Sequence, residues 1–142
     1  MQLSVKLEGA AELSDKLEKM AGSVHAQHVE STLLKAAKIV AEAARNKAPR
    51  GPTGNLKRSL VAKLLKRRGT HPATAIAAVD RKKAPHAYLV EYGTSERYKK
   101  TGQYTGIMAA HPFFRPAWDE KKPEVERMLK GKLKDNIEGA TK

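Results

Sequence analysis

Apolar and polar positions alternate over residues 2–8, with Leu3, Val5 and Leu7 on one side and Gln2, Ser4, Lys6 and Glu8 on the other. A period of two predicts a half-buried strand, which Gly9 ends. Residues 10–20 place Leu13 and Leu17 four apart with charges between them, the pattern of a short amphipathic helix that Gly22-Ser23 is expected to break. The most regular stretch is 27–47. Val29, Leu33, Ala37, Val40 and Ala44 form a stripe at helical spacing, widened by Leu34, Ala36 and Ile39. Glu30, Lys35, Lys38, Glu42 and Arg45 lie opposite, so a surface helix is predicted whose many alanines allow close approach to a sheet.

Pro49, Pro52 and Gly54 stop that helix and mark a turn-rich loop. Across 56–64 the even positions are mostly apolar (Leu56, Leu60, Ala62, Leu64), with Arg58 the exception, which predicts a strand with one wet, basic face. The short apolar run 73–79 follows a Gly- and Pro-containing turn at 66–72, so the two runs are expected to form a hairpin with a cationic outer surface. Residues 87–94 fit either a strand or a helical turn. Residues 95–108 have no periodicity and read as a flexible loop. His111-Pro112 opens a last helix with Phe114, Trp118, Val125, Leu129 and Leu133 as its stripe, and Pro123 is expected to kink or restart it. The expectation is one α+β domain over 1–138, a small, mainly antiparallel sheet packed on a long Ala-rich helix and a C-terminal helix, with 139–142 as a frayed tail.

Charge changes the picture more than length does. Of the 28 Lys and Arg residues, twelve fall between Arg45 and Lys83 against a single acid, Asp80, so this stretch holds +11 of the chain's +13. The remainder is nearly balanced. Charge confined in this way, on a predicted hairpin, suggests an oriented face that attracts polyanions before any specific contact forms. The candidate DNA-facing residues are Lys63, Lys66, Arg67 and Arg68, with Arg81, Lys82 and Lys83. No aromatic residues interleave with them, which argues against base recognition and for sequence-neutral contact with duplex phosphate. The aromatic content is low, so burial is expected to be completed between subunits.

Candidate chemistry is sparse. With no cysteine, disulfides, thiolate metal sites and thiol nucleophiles are excluded. His25, His28, His71, His86 and His111 show no metal-ligand spacing, and no cofactor is expected. No run is long and apolar enough to span a bilayer, and the first residues lack the apolar stretch of a signal peptide, so a soluble protein without membrane partners is expected. GxSxG and phosphate-loop frames are absent; Arg50-Gly-Pro-Thr-Gly54 follows a helix rather than opening one. Glu91 is the one acid in an apolar segment. Such an acid can act as a general base, or it can fix a turn by pairing with an arginine. No second catalytic group accompanies it, so the structural role is preferred and no enzyme or small-molecule substrate is expected.

Three segments read in order carry a resemblance: Ala48-Pro-Arg-Gly-Pro-Thr-Gly-Asn-Leu-Lys-Arg-Ser-Leu60, Ala87-Tyr-Leu-Val-Glu-Tyr-Gly-Thr94 and His111-Pro-Phe-Phe-Arg-Pro-Ala117. The ordered trio, with its preceding Ala-rich helix, resembles the tail-component family of long-tailed bacteriophages and prophages typified by the tenth gene product of HK-type lambdoid phages. The likeness covers roughly 7–129. It implies a non-enzymatic virion protein of the neck or tail top, assembled in the host cytoplasm. Such a protein would form a homo-oligomeric ring stacked on head-completion and tail-tube or terminator proteins, with DNA passing through. It also implies folding or assembly roles for Pro49, Gly54 and Leu56, for Tyr88, Glu91, Gly93 and Thr94, and for Pro112, Phe113 and Pro116. The rival reading is a stand-alone, sequence-independent nucleic-acid-binding protein; a small hydrolase built on Glu91 and a histidine ranks third.

Overall fold

Helix α1 (Ala10–Lys47) runs without interruption for 38 residues in the computed structural model, which describes residues 10–66 and 73–140. The strand expected at 2–8 lies outside those residues. The expected break at Gly22-Ser23 does not occur. A glycine inside a helix costs about 1 kcal/mol relative to alanine but removes no hydrogen bond. The stripe that spacing predicts is buried at Val29, Leu33, Ala36, Ala37, Val40 and Ala44 and half-buried at Leu34 and Ile39, and Ala41 and Ala43 join it. Alanines dominate its C-terminal half, and there the helix meets the sheet and the last helix together.

The helix ends where Pro49 has no N–H to continue it. Ala48 N still donates to Ala44 O at 2.8 Å, the last bond of the ladder. The chain then turns at Gly54, whose φ of 62° and ψ of 12° are left-handed. Residues 55–59 form a short helix, α2 (Asn55–Ser59), not the first half of the expected strand. Leu56 and Leu60 satisfy helical spacing as well as alternation, and three local bonds decide between them. Arg58 Nη2 donates to Thr53 O (2.9 Å), Arg58 N to Gly54 O (3.3 Å), and the buried Ser59 hydroxyl to Leu56 O (2.6 Å).

Strands β1 (Leu60–Leu64) and β2 (Ala75–Val79) form the expected antiparallel hairpin, with Leu60 opposite Val79 and Leu64 opposite Ala75. Leu60 and Ala77 face the core beside α1, joined by the half-buried Ala62, Ala75 and Val79. Helix α3 (Ala87–Tyr92) resolves the ambiguity of 87–94 in favour of a helical turn.

The stretch expected to be a loop without regular structure contains a second antiparallel pair, β3 (Arg97–Tyr98) and β4 (Tyr104–Gly106). It escapes a periodicity test because its tyrosines point to solvent rather than to a core. Helix α4 (Phe114–Ala140) is continuous through Pro123. One missing N–H is tolerated where Phe114, Ala117, Val125 and Leu129 anchor both sides of the proline in the core. The fold is therefore α+β, and the described residues form two two-stranded antiparallel sheets. Among the described residues, no helix is long and apolar enough to cross a membrane.

A surface ion pair, Lys47 Nζ to Glu120 Oε2 at 2.6 Å, links the end of α1 to the start of α4. The lysine's hydrogen bond and charge hold the Glu120 carboxyl below the usual carboxylate range. Any stabilisation from it is present above the ordinary carboxylate pKa and is lost as pH falls through the lowered one. Because Glu120 is fully exposed, Glu120→Gln should shift the denaturation midpoint at pH 7 only slightly, and 1 M salt should erase the difference.

Candidate functional site

The segments 87–94 and 108–115 converge on one buried carboxylate. Glu91 is 3 % exposed and accepts three backbone N–H bonds: Phe113 (2.9 Å) and Phe114 (3.0 Å) on Oε2, and Arg115 (3.1 Å) on Oε1. These are the amides at the start of α4, so the acid caps a helix that begins 23 residues downstream. The partner is a helix N-terminus, whose amides and dipole favour negative charge, and not the arginine weighed from sequence. Pro116 sits in the first turn, where its missing N–H leaves nothing unpaired. Phe113 and Phe114 are fully buried on either side of the cap, their rings edge to face at 6.5 Å. Both carboxylate oxygens thus accept from the amides that open α4, an arrangement that holds the start of that helix in place.

Gly93 completes the junction. Its φ is 71°, and a Cβ there would stand 2.7 Å from Met108 O and 2.8 Å from Ala110 N. Its N–H donates to Leu89 O (2.8 Å), ending α3. Thr94 then clasps Met108 twice: Thr94 N to Met108 O (2.9 Å) and Met108 N to Thr94 Oγ1 (3.0 Å). His111 N reaches Val90 O (2.8 Å). The second and third sequence motifs therefore form one structural node, from which β3 and β4 project. Tyr88, Pro112 and Pro116 are exposed at its margin. Pro49, Gly54 and Leu56 lie apart from it, at the passage from α1 into β1, where Leu56 is buried.

The basic residues divide into two groups. Some brace the fold: Arg45 donates from Nη2 to Leu60 O (2.9 Å) and from Nε to Lys57 O (3.2 Å), Arg58 holds Thr53, and Lys47 holds Glu120. None of these three belongs to the expected DNA-facing set. Lys63, on β1, is exposed, and with Arg81 and Lys82 it lines a shallow depression of about 570 Å³ shared with Val61, Ala78, Val79 and Asp80. Asp80 makes the turn that presents Arg81, Lys82 and Lys83, accepting from Lys82 N on Oδ1 (3.0 Å) and lying 4.0 Å from Lys83 Nζ. Lys66 is exposed just past the Leu64 end of β1, three residues and about 10 Å along the chain from Lys63 and at the opposite end of the strand pair from Arg81 and Lys82. Arg67 and Arg68 lie outside the described residues. Of the seven expected cations, the described residues bring Lys63, Arg81 and Lys82 together.

Sequence reasoning missed the exposed tyrosines. Tyr88 and Tyr92 pair on α3 with ring centroids 4.8 Å apart, and Tyr98 and Tyr104 pair across β3–β4 at 5.4 Å. The signal was present: two tyrosines flanking Lys99-Lys100-Thr101-Gly102 form a hairpin pattern with a glycine in its turn. Among the described residues, no three His, Asp or Glu side chains gather as metal ligands.

Residues 11–93, more than half of the chain, match the model of a family described as "Bacteriophage HK97-gp10, putative tail-component". The match takes in α1, the first hairpin and the Glu91–Gly93 segment and stops short of β3, β4 and α4. No curated protein and no solved structure matches the chain.

Proposed function

Because this chain belongs to the HK97-gp10 family of bacteriophage tail components, we propose that it works at the head–tail junction or the top of the tail tube, as a non-enzymatic ring-forming neck or tail-completion protein. Membership makes it a virion structural protein in contact with other phage proteins. The narrower assignment draws on the concentration of positive charge between Arg45 and Lys83. A ring crossed by duplex DNA gains from cations aimed at its lumen, provided that contact stays sequence-neutral and does not arrest passage. Lys63, Arg81 and Lys82 are the cations best placed for this, since they share one surface depression. Lys66, Arg67, Arg68 and Lys83 would extend it along the hairpin. Neighbours would be a head-completion protein on one side and a tail-tube or terminator protein on the other, met after assembly in the host cytoplasm.

The test is a Lys63→Gln/Arg81→Gln/Lys82→Gln variant in particle-producing cells. All three side chains belong to a surface depression, so the fold should be unaffected. Joined particles that lose DNA retention by about tenfold support a lumenal face. Heads that fail to join tails place these residues against an acidic neighbour, and unchanged particles remove them from either role. The same charge also admits a stand-alone nucleic-acid-binding protein. That reading requires the purified monomer to shift duplex DNA tightly, with an affinity that falls steeply as salt rises.

A further inference from the structure

The β3–β4 hairpin has no core of its own. Tyr98 is 59 % exposed, Tyr104 51 % and Ile107, just past β4, 63 %. The two strands pack chiefly on each other. A lone two-stranded hairpin is marginally stable in water, and one that holds its aromatic rings in solvent gives up the burial that would stabilise it. The root of the hairpin is nonetheless fixed by the double Thr94–Met108 clasp and by Gly93 against the 108–110 backbone. Its tip is closed by Lys99 N to Gln103 O and Gly102 N to Lys99 O, both 2.8 Å, and Thr105 Oγ1 ties back to Arg97 O at 2.9 Å. A rigid root therefore carries an exposed aromatic arm, with Arg97, Lys99 and Lys100 exposed around it. Tyrosines with a cationic border are the composition of a protein-binding surface.

We infer that this hairpin is the arm by which the chain docks on another virion protein, at a site with an apolar centre and an acidic rim. The inference rests on the reading of the chain as a tail component and adds the surface and the chemistry of the partner. Charge selects the occupant. A second copy carries a net +13, which repels a hairpin bordered by Arg97, Lys99 and Lys100, whereas a partner of net negative charge attracts it. Duplex DNA is disfavoured for a different reason. The tyrosine rings tilt by 58° against each other and present no flat platform, and the acid Glu96 accepts the Tyr98 hydroxyl at 3.0 Å within the same face. The family match ends at Gly93, so the arm is outside the matched region.

The test places the photo-crosslinking residue benzoylphenylalanine at position 104 in cells producing the particles. After irradiation the joined peptides are identified by mass spectrometry. The expected product links position 104 to a different virion protein, at a peptide bearing Asp or Glu. In an Arg97→Glu/Lys99→Glu/Lys100→Glu background its yield should fall by about tenfold. Crosslinks only to further copies of this chain, only to DNA, or to nothing while the chain is present in particles overturn the inference and leave the proposed function standing. Absence of the chain from purified particles overturns both.

Discussion

Replacing Glu91 with alanine is expected to destabilise the protein by about 3 kcal/mol or more, since each buried amide left without an acceptor costs roughly 1–3 kcal/mol. Three amides lose their acceptor at once at a position where Glu91 is 3 % exposed and Phe113 and Phe114 are buried. The helix dipole at the start of α4 also loses its counter-charge. Glu91→Gln keeps one oxygen but turns an NH2 group toward amides that themselves donate, so it should recover only part of the loss. Urea denaturation of the purified protein measures both. Amide exchange at 113–115 should rise in the alanine variant before exchange elsewhere in α4. A midpoint unchanged in Glu91→Ala would mean that the carboxylate holds nothing. A hydrolytic role for the residue would instead require a Glu91→Gln protein of normal stability that had lost a measurable turnover.

The second large effect is expected at Gly93. Alanine there is predicted to cost about 2–4 kcal/mol, from two sources that add: a backbone geometry reserved for glycine and a clash with main chain that cannot rotate away. The φ of 71° is paired with a ψ of −173°, and the new methyl would lie within 2.8 Å of both Met108 O and Ala110 N. Relief would require 108–110 to move off, breaking the Thr94–Met108 clasp. Gly51 supplies the control. A Cβ there meets nothing within 4 Å, so Gly51→Ala should stay within about 0.5 kcal/mol of the parent in the same urea titration. Near-equal effects at the two positions would remove the close approach at Gly93 as an explanation.

Both positions were singled out from sequence, yet their partners were not legible there. Glu91 stood out as an acid among apolar neighbours. Nothing in its surroundings announces an acceptor for amides 22 to 24 residues ahead, because backbone donors leave no mark on side-chain pattern. The reading succeeded where periodicity and punctuation agree. The stripe of α1 from Val29 to Ala44, its end at Pro49 and the pairing of 60–64 with 75–79 are all of this kind. It went wrong where one pattern satisfies two structures. Leu56 and Leu60 fit a strand and a helix equally, and the bonds from Arg58 and Ser59 that settle the matter are local geometry. It also went wrong where exposure replaces burial, as in β3 and β4, which alternation cannot detect. The charge count also carries no geometry: that Arg45 and Arg58 donate to backbone carbonyls and Lys47 to Glu120 is visible only in the structure.

The placement proposed for this tail component is tested most directly by electron cryomicroscopy of intact particles. The account predicts copies of this fold closed into a ring at the head-proximal end of the tail, with Lys63, Arg81 and Lys82 turned toward the DNA. Density for the chain at the distal tip, or particles that lack the chain altogether, would contradict it.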